Sequence, residues 1–319
     1  MAVYTHVTKS ELDAHLALYD IGGLVDYAGI LSGVSNTNYK VMTDKGAYIL
    51  TLLEERADED SMDYVLGFMR HLRQAGLPVA APVAARDGAT LLPLMGRASL
   101  LTVFLEGGAP VPTSVACCRV AGAALARMHI AGGNFSRQRR NPMDMTACRT
   151  LVEHSDEGAE KLEKGLGRFL LSVFDDLMGD MPKDLPRGAV HTDFFPNNTL
   201  FSGDDLTGVF DFYFSCTDSF VYDLMIAVNA WCFDSAVFNA DKAKAFLQGY
   251  AAVRPLTQDE IAALPVMGRA GALRYASSRL YDWLHRVEGA DVVPHDPMEY
   301  VHILRFHQSA SAQDYGLAA

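Results

Sequence analysis

Apolar positions change their spacing twice along this chain. After Thr8-Lys9-Ser10-Glu11, a capping-box sequence, Leu12, Leu16 and Leu18 recur at helical intervals and predict a short first helix. From Tyr27 to Leu53 the period shortens to strand, loop, strand, the turn Thr43-Asp44-Lys45-Gly46, and a buried strand Tyr48-Ile49-Leu50-Thr51-Leu52-Leu53. Met62 to Leu72 returns to a helix, with Val65, Leu66, Met69 and Leu72 on one face and Gly76 as its stop. Short strands are expected at 79–83 and 90–94 around the turn Arg86-Asp87-Gly88, and Leu100–Leu105 is another buried strand, broken by Glu106-Gly107-Gly108. Beyond that break the pattern is helical over 113–130, roughly 155–180, 220–234, 239–252, 257–285 and 297–308. Strand segments at 188–190, 199–201 and 208–212 interrupt it. The expectation is an α+β chain in two lobes: a small, mostly antiparallel β N-terminal lobe (1–105) and a larger helical C-terminal lobe (106–319).

Composition narrows the function classes. Lys plus Arg number 27 against 39 Asp plus Glu, a net charge of −12 that disfavours nucleic acid or an anionic lipid surface as partner. The five cysteines lack any CxxC pair, so neither a zinc site nor a disulfide framework is expected, and they read as reduced, mostly buried thiols. No basic, apolar leader opens the chain and no uninterrupted apolar run reaches the length of a spanning helix, so a cytoplasmic protein without a membrane partner is expected.

The chemistry concentrates in His191-Thr192-Asp193-Phe194-Phe195-Pro196-Asn197-Asn198, followed by Asp211 eighteen positions after Asp193. An Asp, an Asn five residues on and a second Asp after a short hairpin is the spacing of a kinase catalytic loop. Asp193 is then the group that orients a substrate hydroxyl, and Asn198 and Asp211 are oxygen ligands suited to Mg²⁺ on ATP. His191 lacks a second ligand nearby and is expected to hold the loop by hydrogen bonds. Small and polar residues at Gly33–Asn38 can turn N–H groups and hydroxyls toward phosphates, whereas Walker A and dinucleotide glycine patterns are absent. The basic run Arg137–Arg140 reads as a solvated loop. Arg274 and Asp282 on a late helix either hold the two ends of a zwitterion or pair with each other.

Together Asp193, Asn198 and Asp211 resemble the aminoglycoside phosphotransferase superfamily of protein-kinase-like small-molecule kinases. Within it the stretches Gly33–Asn38, Tyr48–Leu52, Phe104–Gly107, Asp211–Cys216, Tyr222–Leu224, Asn229–Cys232 and Arg279–Leu284 are similar to the bacterial homoserine kinases of that fold. The resemblance implies a two-lobed protein-kinase-like fold and transfer of the γ-phosphoryl group of ATP, with Mg²⁺, to the hydroxyl of homoserine. It implies Asp193 as catalytic aspartate, Asn198 and Asp211 as metal ligands, and Ser35, Asn36, Thr37 and Asn38 over the phosphates. Hinge backbone at Val103 and Leu105 would bind adenine, and Asp223 would brace the catalytic loop. Tyr213, Asp218, Arg274 and Asp282 are the candidates for the acceptor pocket. The family's third-strand lysine falls at or near Thr51, which leaves Arg56 or Lys40 for the phosphate contact and Asp60 or Asp63 as the acid partner. Two other readings stand beside this one: an aminoglycoside, choline or sugar as acceptor, and a catalytically dead nucleotide-binding protein.

Overall fold

The computed structural model describes residues 5–30, 36–54, 59–285 and 294–316. The chain falls into two compact units, Met1–Glu106 and Gly107–Ala319.

Among the described residues the first unit is a five-stranded antiparallel sheet with two helices. Helix α1 (Lys9–Leu16) opens at Thr8, whose hydroxyl caps the Glu11 N–H while Glu11 reaches back, the reciprocal bond that its sequence predicts. Strands β1 (Leu24–Ile30), β2 (Thr37–Thr43) and β3 (Gly46–Leu52) follow, then α2 (Glu59–Gln74), β4 (Leu91–Leu94) and β5 (Arg97–Val103). The sheet order is β1-β2-β3-β5-β4. Alternation sorts its two faces: Tyr39, Val41, Leu50, Leu52 and Leu101 form one buried cluster with Leu12, Leu16 and Tyr19 of the α1 segment. Residues opposite one another share a face, so Lys40 beside Ile49 and Asn38 beside Thr51 lie on the other. Residues 79–83, expected as a strand, form isolated bridges such as Pro82–Thr102 and no ladder strand, since Pro82 has no N–H to donate.

The second unit is helical around short hairpins. It runs α3 (Val115–Gly132), α4 (Met145–Glu153), α5 (Asp156–Leu162), α6 (Leu166–Asp180), β6 (Arg187–Val190), β7 (Thr199–Ser202), β8 (Asp205–Val209), β9 (Cys216–Ser219), α7 (Phe220–Trp231), α8 (Ala240–Ala251), α9 (Gln258–Leu284) and α10 (Pro297–Ser309), with a two-residue pair between α7 and α8. The single helix expected near 155–180 is broken: Glu163 is extended and Gly165 sits at φ 82°, so the chain turns before α6. The polar strand β9, which pairs with β6, left no apolar alternation to read. Helix α9, 27 residues long, packs against α4, α6, α7 and α10. Helices α3 and α8 cross closely enough that a Cβ on Gly122 would stand 2.0 Å from the Phe246 carbonyl oxygen. All five cysteines are free thiols and buried. No helix among the described residues is long and apolar enough to cross a membrane.

Candidate active site

Strand β6 delivers the loop that carries the candidate chemistry. The apolar pair Ala189-Val190 is buried, and a Cβ on Gly132 of α3 would come within 2.1 Å of the Ala189 carbonyl oxygen, so only glycine lets the helix back the strand this closely. After Val190 the backbone turns sharply, with Thr192 at φ 57°, a left-handed conformation uncommon for a β-branched residue. Asp223, on the first turn of α7, holds that turn: its carboxylate accepts from the N–H of His191 at 3.0 Å and of Thr192 at 2.8 Å. The same carboxylate meets His129 Nε2 at 2.9 Å, and His129 Nδ1 lies 2.6 Å from the Tyr250 hydroxyl. Burial alone would raise the Asp223 carboxyl, but His129 and the two backbone donors bring it below the usual carboxylate range. Burial also depresses His129, so the pair is a neutral imidazole donating from Nε2 to an anionic carboxylate.

His191 holds the loop as its sequence setting suggests. Nδ1 accepts from the Asp193 N–H at 3.2 Å, Nε2 donates to the Phe210 carbonyl at 3.1 Å, and burial keeps the ring neutral. Asp193 is gripped at both oxygens. The Tyr275 hydroxyl donates to Oδ1 at 2.6 Å and also lies 2.8 Å from the Thr192 carbonyl. Asn198 Nδ2 donates to Oδ2 at 2.9 Å and to the Asp193 carbonyl at 2.9 Å, which leaves the Asn198 amide oxygen for another partner. A further anchor comes from Trp231, whose indole N–H donates to the Phe194 carbonyl at 2.8 Å.

Asp211 follows β8 with φ 66°, so the strand ends before it and the side chain is turned out of the ladder. Burial first, then the charge of Asp193, push its carboxyl up to about 7. A buried carboxylate facing a second negative charge is disfavoured as an anion, and nearby positive charge relieves that cost. The stretch after Asp211 is clamped by Arg139, which donates to the carbonyls of Tyr213 at 2.8 Å and Ser215 at 2.7 Å. Arg139 is therefore not part of a solvated basic loop, its guanidinium being bonded to those two carbonyls, whereas Arg140 remains exposed beside Asp144.

The acceptor-pocket candidates separate. Arg274 and Asp282 do not pair: the guanidinium lies over Tyr275 and Phe214, and Asp282 is exposed near the end of α9. Asp218 is raised by burial and held by Asn141 Nδ2 at 2.8 Å. Tyr213 is raised by burial and by the neighbouring Asp211. In the first unit Asn38 Oδ1 accepts from Thr51 at 2.6 Å, Asn36 Oδ1 accepts from the Glu54 N–H at 3.3 Å, and Thr37 bonds Glu54. Lys40 Nζ sits 3.9 Å from the ring centroid of Phe104, between Val103 and Leu105. Ser35 and Arg56 lie outside the described residues. Asp60 and Asp63 are both exposed on α2. Sequence spacing missed Tyr275, Trp231 and His129, whose partners lie 82, 37 and 94 residues away.

The sequence pattern of the phosphotransferase enzyme family matches residues 26–256. A homoserine kinase of Rhizobium etli is 45% identical over 320 residues, covering 100% of both chains, and one of Brucella anthropi is 45% identical over 319 residues, covering 99% of this chain and 98% of its own. Among solved structures, an amicoumacin kinase in complex with AMP-PNP, Ca²⁺ and amicoumacin superposes with a TM-score of 0.68 at 18% identity, covering 95% of this chain and 92% of its own. A choline kinase of Cryptosporidium parvum does so at 0.63 and 15% identity, covering 89% and 88%.

Proposed function

Because the chain belongs to the phosphotransferase enzyme family, and within it to the homoserine kinases, we infer that Asp193 is the group in front of which a hydroxyl is phosphorylated. The enzyme transfers the γ-phosphoryl group of ATP to the side-chain hydroxyl of L-homoserine, giving O-phospho-L-homoserine, the precursor of threonine, and ADP. The observation that carries the site is Asp193 pinned between Tyr275 and Asn198 with Asp211 beside it. Both Asp193 oxygens accept one internal hydrogen bond and keep a lone pair, so the carboxylate can align the acceptor hydroxyl and take its proton as the oxygen–phosphorus bond forms. In a loose phosphoryl-transfer transition state this contribution is mainly positional, which suits a side chain fixed at both ends.

A divalent cation fits the donors present. Asp211 and the amide oxygen of Asn198 are hard oxygen ligands, and the raised Asp211 carboxyl is relieved by positive charge. Among the described residues no group of three or more His, Cys, Asp and Glu closes around a metal, which suits Mg²⁺, an ion that keeps waters and phosphate oxygens as ligands. Bound there, Mg²⁺ supplies charge neutralisation at the β- and γ-phosphates. Asp223, His129, His191 and Trp231 keep the loop in place and are positioning residues.

For the nucleotide, we assign Ser35, Asn36, Thr37 and Asn38 to the phosphates and backbone at Val103 and Leu105 to adenine. Lys40 is the cation that Thr51 does not provide: it shares the sheet face of Thr51 and reaches the Phe104 ring. Tyr213, Asp218 and Asp282 remain candidates for the acceptor's neighbourhood. A cytoplasmic setting suits an enzyme that draws on ATP. ADP release with Mg²⁺ and ATP, measured across homoserine, serine, choline and an aminoglycoside, tests the reading. Homoserine turnover is expected to dominate, and to fall at least 100-fold in Asp193→Asn with ATP still bound. Turnover of another alcohol in place of homoserine, or an unimpaired Asp193→Asn, would refute it.

A further inference from the structure

Arg274 is an anomaly. Its side chain is only 2% exposed, on the inward face of α9, yet among the described residues no carboxylate, carbonyl or hydroxyl accepts a hydrogen bond from it. Glu260 and Lys242, buried in the same unit, have ion-pair partners, Arg254 at 2.9 Å and Asp234 at 2.5 Å, and the buried Asp223 carboxylate accepts from His129 and two backbone N–H groups. Rings cover the guanidinium instead, Tyr275 with its centroid at 4.0 Å and Phe214 at 4.9 Å. Such stacking satisfies the faces of the group and leaves its N–H edge unbonded. Nε is sealed without an acceptor, while the terminal nitrogens are not sealed and meet the little accessible surface the side chain has.

A second orphan lies beside it. The Tyr222 hydroxyl, on the first turn of α7, is buried with no hydrogen-bond partner and close enough to Arg274 to feel its charge. A buried donor left unpaired destabilises a fold, and two at one place mark a position that something else completes. The place adjoins the base: the Tyr275 ring that carries the guanidinium on its face has its hydroxyl 2.6 Å from Asp193 Oδ1. One tyrosine ring thus separates a free two-pronged cation from the carboxylate that receives the reacting hydroxyl.

We propose that Arg274, with the Tyr222 hydroxyl as a second donor, binds the carboxylate of the amino-acid acceptor and selects hydroxy amino acids over alcohols that lack the carboxylate. The proposal rests on the kinase reading above and goes beyond it by naming the acceptor-end contact. A guanidinium matches a carboxylate with two parallel N–H bonds, and a hydroxy acid with its two ends a few bonds apart reaches from that fork to Asp193. An acceptor without the carboxylate would leave both donors orphaned, the arrangement by which polar sites reject analogues most strongly.

The test compares kcat/KM for L-homoserine and for 3-aminopropan-1-ol, the same chain without the carboxylate, in wild type, Arg274→Met and Arg274→Lys. The preference for homoserine is expected to fall about 100-fold in Arg274→Met, mostly through KM, and to recover in part in Arg274→Lys. Equal losses on both alcohols overturn the proposal, since the arginine would then serve the transferring phosphoryl group or the fold. Calorimetry with L-2-aminobutyrate, which has the carboxylate and ammonium but no hydroxyl, reads the contact without turnover. Binding to the wild type that propan-1-amine does not reproduce supports the anion site even where a variant fails to fold or another amino acid proves the better acceptor. Absence of that difference overturns it. Failure of the wild type to phosphorylate homoserine with this binding intact removes the acceptor assignment and leaves the site.

Discussion

Removing a single hydroxyl measures how much turnover depends on the pose of Asp193. In Tyr275→Phe the ring keeps its packing against Phe195, with centroids 4.8 Å apart, and against Tyr300 at 5.0 Å, so the fold and the surface under Arg274 are retained. What disappears is the donor at 2.6 Å from Asp193 Oδ1 and 2.8 Å from the Thr192 carbonyl. A hydrogen bond to an ionised partner is worth about 1.5–3 kcal/mol. If that energy holds the carboxylate in its reactive orientation, kcat falls by about 10- to 150-fold. Asn198 still holds the other oxygen, so the loss stops short of that in Asp193→Asn. Coupled ADP release gives kcat and both KM values, and a thermal melt controls for folding. The expected result is a kcat loss of at least about tenfold, with the KM for ATP within about twofold of wild type. A kcat within twofold of wild type, with an unchanged melt, would show that Tyr275 is packing alone and that Asp193 needs no such support.

Three other expectations follow from the same geometry. His307 is buried between Asn229 Oδ1 at 2.6 Å and the Tyr315 hydroxyl at 2.7 Å, and burial, with Arg269 nearby, pushes its pKa down to about 3. A folded pKa below the unfolded value of about 6.5 contributes stability that is complete above pH 6.5 and lost as pH falls toward 3, about 3 kcal/mol by pH 4. Urea midpoints from pH 7 to 4 should drop less steeply in His307→Gln than in wild type, and parallel slopes would contradict the assignment. In Asp223→Asn two buried backbone N–H groups and His129 lose an anionic acceptor, so stability should fall by about 3 kcal/mol and kcat by at least about 100-fold; a wild-type melt and rate would mean that the loop holds its turn unaided. Gly122→Val places a Cβ 2.0 Å from the Phe246 carbonyl oxygen, which should push α3 off α8 and lower stability by more than about 3 kcal/mol in chemical denaturation, whereas a loss under about 1 kcal/mol would show that the crossing adjusts freely.

What the sequence discloses about this fold is what is local along the chain. The β-sheet unit is legible because Tyr39, Val41, Leu50 and Leu52 alternate, and α1 because Thr8 and Glu11 cap each other within one turn. Asp193, Asn198 and Asp211 fall within one loop and hairpin, so their spacing can be read directly. The groups that hold them cannot: Tyr275, Trp231 and His129 look like ordinary apolar-face helical residues until topology brings them to the loop. Arg139 reads as surface charge because its neighbours Arg137 and Arg140 are charged, yet its guanidinium is spent on the Tyr213 and Ser215 carbonyls. Arg274 and Asp282 share a helix in sequence and in structure, but the turn of one side chain onto a ring, which no spacing encodes, separates an internal pair from an open cation.

The Trp231–Phe194 bond gives the chain an optical consequence. It has two tryptophans, of which Trp231 is fully buried and tied to the loop bearing Asp193, while Trp283 is 38% exposed on α9. Their emission should therefore divide into a blue component shielded from iodide and a red one open to it. A shift confined to the blue component would register movement of the loop itself, giving a stopped-flow signal for acceptor or nucleotide arrival that needs no added label.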